Sequence, residues 1–141
     1  MTPQILVPIN DSATTSKTID DIISNCERFG ARLVLLHVIN DQLAYRMIPD
    51  FQIEMVRENA MKAATERMEK LADQLRAAGL EIELRIEFGM PRRLIPQIAN
   101  NEDFQLLVLG RRSGRGEIRD VLFGSVANYV LHNVRCPVLL F

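Results

Sequence analysis

Leu106-Leu107-Val108-Leu109-Gly110, followed after a loop by Gly124-Ser125-Val126 and then by Pro137-Val138-Leu139-Leu140-Phe141, is the stretch that decides the fold. A short apolar run stops at a glycine, as a strand does when it meets a loop. The loop carries Gly110, Gly114 and Gly116 together with Arg111, Arg112 and Arg115. A helix is expected from about Ser125, with Val126, Ala127, Val130, Leu131 and Val134 on its buried side. Pro137–Phe141 reads as a final strand. Free backbone N–H groups and the positive end of the helix dipole make such a loop–helix junction a place to hold phosphate.

Upstream, three more apolar runs alternate with helical patterns, making five in all. Gln4-Ile5-Leu6-Val7-Pro8-Ile9 is a β-branched run that ends in the turn formers Asn10-Asp11-Ser12. Ile19, Ile22, Ile23, Cys26 and Phe29 recur at helical spacing, and Gly30 is the expected stop. Arg32–Val38 is a second strand, apolar on both faces. A long helix is expected over about Phe51–Ala78, with Val56, Ala60, Ala63, Ala64, Met68, Leu71, Leu75 and Ala78 on one stripe and Met55, Met61 and Met68 as core filler. Gly79 is its expected C-terminal stop. Leu80–Phe88 alternates strictly and reads as an edge strand with one wet face. A short helix around Arg92–Asn100 and the strand Phe104–Leu109 complete the pattern. The polar segment Asn40–Asp50 reads equally as a flap over a crevice or as a plain connection.

Strands separated by helices imply parallel pairing through right-handed crossovers. The fold expected is α/β, a three-layer sandwich around a five-stranded parallel sheet of order 3-2-1-4-5. The alternating strand lies at one edge, and the two most apolar strands lie in the centre. The topological switch then falls between strands 1 and 4, where open sheets take ligands at the carboxyl ends of their strands. Strand 1 delivers Asn10-Asp11 to that crevice and strand 4 delivers the Gly110 loop.

The 141 residues make a single domain, 1–141, able to bury about 70% of its unfolded surface without disulfide or metal. A net charge of −1 argues against nucleic acid. No apolar run is long enough to cross a membrane and no signal peptide is evident, so a cytoplasmic location is expected. Cys26 and Cys136 lack metal-ligand spacing and read as reduced thiols.

These residues resemble the universal stress protein family along the whole chain. Ile5–Ile9 is similar to its opening strand, Leu36-His37-Val38 to the end of its second strand, and Gly89-Met90-Pro91 to the turn into its third helix. Gly124-Ser125-Val126 through Cys136–Leu140 is similar to its C-terminal signature. The resemblance implies an adenine nucleotide alpha hydrolase-like fold and a site for ATP or a related adenine nucleotide, with Mg2+ as a companion ion. It implies that Gly114, Gly124, Ser125 and Val126 cradle the phosphates. Leu109 and Gly110 would face the ribose and adenine side, Val38 would meet the adenine through its backbone, and Pro8, Ile9, Asn10 and Asp11 would line the strand-1 side.

Two departures stand out. The family motif is Gly-x2-Gly-x9-Gly-(Ser/Thr), whereas this chain has Gly110-x3-Gly114 before its nine-residue spacing to Gly124-Ser125. Asn10 also stands where the nucleotide-binding branch usually has aspartate. Asparagine can hydrogen-bond a ribose hydroxyl but brings no charge to magnesium. These departures keep open a second reading, a dimeric interaction scaffold without nucleotide.

Each candidate has a plainer alternative. The glycines could be turn formers and Ser125 a helix cap. Arg111, Arg112 and Arg115 could be a solvated loop, although three cations beside a helix N-terminus invite an anion. Asp11 serves equally as a ribose or metal group or as a helix cap. His37 reads as a packed residue, since no serine or cysteine nucleophile stands with it, and no catalysis is expected. Val138–Phe141 is an apolar sheet edge without a guarding charge, so antiparallel pairing of two copies into a homodimer is expected.

Overall fold

The computed structural model describes residues 4–10, 13–30, 32–40, 48–110 and 125–141. Its elements run β1 (Gln4–Ile9), α1 (Ala13–Ser24), a 3-10 turn (Cys26–Arg28), β2 (Arg32–Ile39), α2 (Asp50–Ala77), β3 (Ile82–Phe88), α3 (Pro91–Asn101), β4 (Leu106–Leu109), α4 (Ser125–Asn133) and β5 (Val138–Leu140). The sheet is parallel throughout, in the order β3-β2-β1-β4-β5. This is the expected topology.

Strand periodicity divides the apolar residues between two cores. Ile5, Val7, Ile9, Leu33, Leu35 and Val108 face Ile19 and Ile22 of α1 and Met68, Ala72 and Leu75 of α2. The alternate set, Leu6, Val34, Leu36, Val38, Leu107 and Leu109, faces Ile95, Ile98 and Ala99 of α3 and Val130 of α4. Two-sided burial explains why β1, β2 and β4 read as unbroken apolar runs. β1 sits at the centre, paired with β2 from Gln4↔Arg32 to Ile9↔His37 and with β4 at Ile5↔Leu106 and Leu6↔Leu107.

Several local expectations need correction. α1 ends at Ser24 rather than at Gly30; a 3-10 turn follows, and the Asn25 side chain bonds the Asp21 carbonyl at 2.8 Å. The apolar spacing through Cys26 and Phe29 survives because the turn keeps both residues against the same core. On α2 the buried stripe is Ala64, Met68, Ala72 and Leu75, while Ala63 is exposed. Met55 is 58% exposed and Phe51 81%, so Met55 is not core filler; Met61 is half-buried and only Met68 is fully inside. β3 starts at Ile82, two residues after the expected start, because Leu80 completes the cap of α2. That cap joins Leu80 N–H to the Leu75 carbonyl and Gly79 N–H to the Arg76 carbonyl, the paired closure that a glycine at φ +94° permits.

The far ends of α3 and α4 are tied together. Asn100 Nδ2 donates to the Asn133 carbonyl at 2.9 Å, and Arg135 N–H donates to Asn100 Oδ1 at 2.8 Å. This holds α4 on α3 and fixes the direction in which its N-terminus points.

Candidate functional site

β1, β2 and β4 end at one rim of the sheet, and α1, α3 and α4 begin there. Between them lies a cavity of about 180 Å3. Its inner wall is Leu36, Val38, Ile95, Leu109 and Val130, all buried. Its polar groups come from Asn10, Thr15 and Thr18, and Pro8, Ile9, Gly110 and Val126 complete the mouth. Small-molecule sites usually measure roughly 300–1,000 Å3. The cavity is therefore smaller than most such sites, with room for part of a ligand of that size.

Of the expected residues in the described part, Pro8, Ile9, Asn10, Val38, Leu109, Gly110 and Val126 line this cavity, and Ser125 is the first residue of the helix beside it. Pro8 and Ile9 close β1, and Asn10 stands exposed just beyond it. The β1–β2 register stops at Ile9↔His37, so Val38 is the first β2 residue past the last β1 pairing. Leu109 ends β4, still paired with Leu140 of β5, and Gly110 follows half-buried. Ser125 opens α4. Val126 was expected on the buried side of that helix but is 38% exposed. It lines the cavity instead, which explains an exposed valine next to a buried wall. Asp11, Arg111, Arg112, Gly114, Arg115 and Gly124 lie outside the described residues.

Sequence reasoning missed Thr15, Thr18, Leu36, Pro91, Ile95, Ala127 and Val130 as cavity residues. Thr15 and Thr18 carried a signal, since both fall on the inward face of α1 one turn apart, where a polar side chain needs a reason. Thr15 is 7% and Thr18 3% exposed. The Thr15 hydroxyl engages Asn10 through the main chain and the side chain together.

Two helix starts meet the cavity, at Pro91 on α3 and Val126 on α4. Their dipoles present partial positive charge on that side, which favours an anionic group. Arg92 adds a cation at the same end, its guanidinium 5.9 Å from the Tyr129 ring centroid. His37 is half-buried, and its Nδ1–H donates to the Ile9 carbonyl at 3.1 Å. The bond braces β2 against the end of β1. Among the described residues no group of three or more His, Cys, Asp or Glu is placed to hold a metal ion, and no helix is long and apolar enough to cross a membrane.

A parallel, doubly wound sheet with a cavity at the β1/β4 switch is an α/β architecture of the kind in which ligands generally sit at that switch. The chain belongs to the universal stress protein family, whose profile matches residues 1–141. Universal stress protein Sll1388 of Synechocystis is 29% identical, covering 97% of this chain and 96% of that protein. A universal stress protein of Thermus aquaticus is 34% identical, covering 83% of this chain and 82% of its own. Among solved structures, protein MJ0577 superposes with a TM-score of 0.80 at 24% identity, over 99% of this chain and 95% of that one. A universal stress protein in complex with cAMP gives 0.68 at 23% identity, over 99% and 96%. One from Archaeoglobus fulgidus in complex with dAMP gives 0.67 at 19%, over 99% and 97%. At these identities the structural matches establish the shared fold.

Proposed function

We propose that this chain binds ATP or a related adenine nucleotide in the cavity between β1 and β4, and acts as a nucleotide-dependent regulator of the stress response. The observation that carries the reading is the composition of the cavity. A buried apolar wall suits a flat base, a polar lip at Asn10 suits a sugar, and two helix N-termini at the rim suit phosphate. Family neighbours crystallised with cAMP and dAMP support the same ligand class.

The residues proposed to contact nucleotide in the described part are Pro8, Ile9, Asn10, Val38, Leu109, Gly110, Ser125 and Val126. From sequence, Asp11, Arg111, Arg112, Gly114, Arg115 and Gly124 join them. Magnesium would be carried by the phosphates, because neutral Asn10 is a poor partner for a divalent cation. Binding without turnover is proposed. His37 turns Nδ1 to the Ile9 carbonyl, and no serine or cysteine nucleophile of a recognisable triad pattern accompanies it in the sequence. A cytoplasmic homodimer paired through β5 completes the proposal. One observation favours the scaffold reading instead: the uncharged Asn10 at the lip weakens any metal-bridged triphosphate.

Denaturing the purified protein and identifying what it releases by mass spectrometry tests the proposal. An adenine nucleotide in near-stoichiometric amount is expected. Protein that releases none, and that added ATP does not saturate, supports the scaffold.

A further inference from the structure

Arg92 stands at the second position of α3, directly after Pro91, which lines the cavity. Helix starts ordinarily gather Asp or Glu, because the dipole is positive there. The first turn of α3 carries no acidic residue and instead holds Arg92 and Arg93, and the first turn of α4 carries no acidic residue either. Among the described residues no carboxylate lies within ion-pair distance of Arg92. Its guanidinium stands instead over the ring of Tyr129 on α4, 5.9 Å from the centroid, within the range of a cation–π contact. A helical side chain leans towards the helix N-terminus and covers the turn before its own Cα. Tyr129 is therefore carried towards the turn of Ser125 and Val126, and Val126 lines the cavity mouth. The contact brings the Arg92 charge beside both helix starts at once.

Resting on the nucleotide reading above, we infer that Arg92, held against the ring of Tyr129, recognises phosphate at the cavity rim and makes the site select adenine nucleotides over the bare nucleoside. The cavity has room for part of such a ligand. A base seated against Leu36, Ile95 and Val130 leaves the phosphates outside, among exposed groups, and Arg92 is exposed on that side. A guanidinium presents a planar fork of N–H donors that fits two phosphate oxygens, and its flat face stacks on an aromatic ring while the donors stay free. Tyr129, 42% exposed, supplies that ring from the surface. Holding the long side chain against it lowers the entropy lost when phosphate is gripped. Arg93 carries the same charge but points about 100° further round the helix.

The test is a set of dissociation constants for ATP and adenosine, measured at low salt without magnesium on wild type, Arg92→Gln, Tyr129→Leu and Arg93→Gln. All three side chains are exposed, so each variant is expected to fold. Wild type is expected to bind ATP more tightly than adenosine. Arg92→Gln is expected to lower that preference by about three- to tenfold, the range of a charge-assisted contact at a wet rim. Tyr129→Leu, which keeps an apolar side chain but removes the ring face, lowers it by about twofold or more. Arg93→Gln removes an equal charge and keeps the wild-type preference. Three results each overturn this inference and leave the nucleotide reading standing. They are a preference that Arg92→Gln or Tyr129→Leu leaves at the wild-type level, an equal fall in Arg93→Gln, and a wild type that binds both ligands equally. A wild type that ATP does not saturate overturns both.

Discussion

Gly89 shows how much a single backbone angle can carry. It lies between β3 and α3 at φ +151°, and its N–H donates to the Ile39 carbonyl at 2.9 Å. A Cβ built there would stand 2.6 Å from Leu94 Cδ1, the end of a flexible side chain. The clash is relieved by a rotamer change, whereas the backbone angle is not. Gly89→Ala is expected to cost about 1–3 kcal/mol in urea unfolding. Gly30→Ala, with open space around the site and no unusual φ, serves as the near-neutral control. Equal stability of the two variants would contradict this account. Cys136 is another residue-scale matter: burial pushes its thiol up, which leaves it less of the reactive thiolate near neutral pH. Arg85 is held more firmly cationic by its hydrogen bond to Glu102 and then by Glu87, against the effect of burial. Gly79 was legible in the sequence because a glycine after an apolar stripe is a stop signal. Thr15 was legible only as a polar residue on the inward face of α1; its bonds to Asn10 emerge only in the fold.

Among the elements, α2 separates what periodicity can and cannot reveal. Its 28 residues follow the predicted range to within one residue at each end, since cap and stripe agree. The buried stripe is narrower than the apolar spacing predicts, however, and the N-terminal half of the helix carries Phe51 and Met55 outward. An apolar residue near the end of a long helix does not disclose whether the sheet extends far enough to cover it. Met68, at 2% exposed, packs in the core beneath β1 and β2. Met68→Ala is expected to cost about 2–5 kcal/mol by chemical denaturation, because a cavity remains where the side chain was. Met55→Ala should change stability far less; equal losses would contradict the burial described. α3 also tolerates Pro96 within it, buried among Ile95, Ile98 and Ala99, where packing outweighs the missing helix bond.

At the scale of the whole molecule, strand order follows from pattern: alternation marked β3 as an edge and two-sided burial marked β1 and β4 as central. The rim of the cavity was legible as well, since Asn10 and Gly110 each follow the end of a strand and Val38 lies next to the last residue of another. Its inner wall was not, because Leu36, Ile95 and Val130 come together only after the crossovers are made. β5 leaves one edge open in the single chain. Leu107 N–H bonds the Pro137 carbonyl and Phe141 N–H bonds the Leu109 carbonyl, so Pro137 and Phe141 turn towards β4. By alternation, the N–H groups of Val138 and Leu140 turn towards the open edge. An arginine at Leu139 or Leu140 would test the proposed dimer poorly, because both residues also pack against the two cores. Leu140→Pro removes an outward donor while keeping the β4 ladder bonds, and Leu140→Ala, which loses the same core side chain but keeps the donor and should remain a dimer, serves as its control. Sedimentation velocity should show a wild-type dimer and a folded Leu140→Pro monomer; a dimer in both would contradict pairing through β5.

The central claim is that the rim between β1 and β4 receives an anionic adenine nucleotide, and calorimetric titration with ATP tests it most directly. Val126 is the exposed valine at the cavity mouth, so Val126→Glu adds negative charge beside the α4 start without disturbing the core. Saturable binding to wild type, weakened at least tenfold by Val126→Glu at unchanged melting temperature, is the predicted result. Equal affinity in both proteins, or no saturation in wild type, would contradict it.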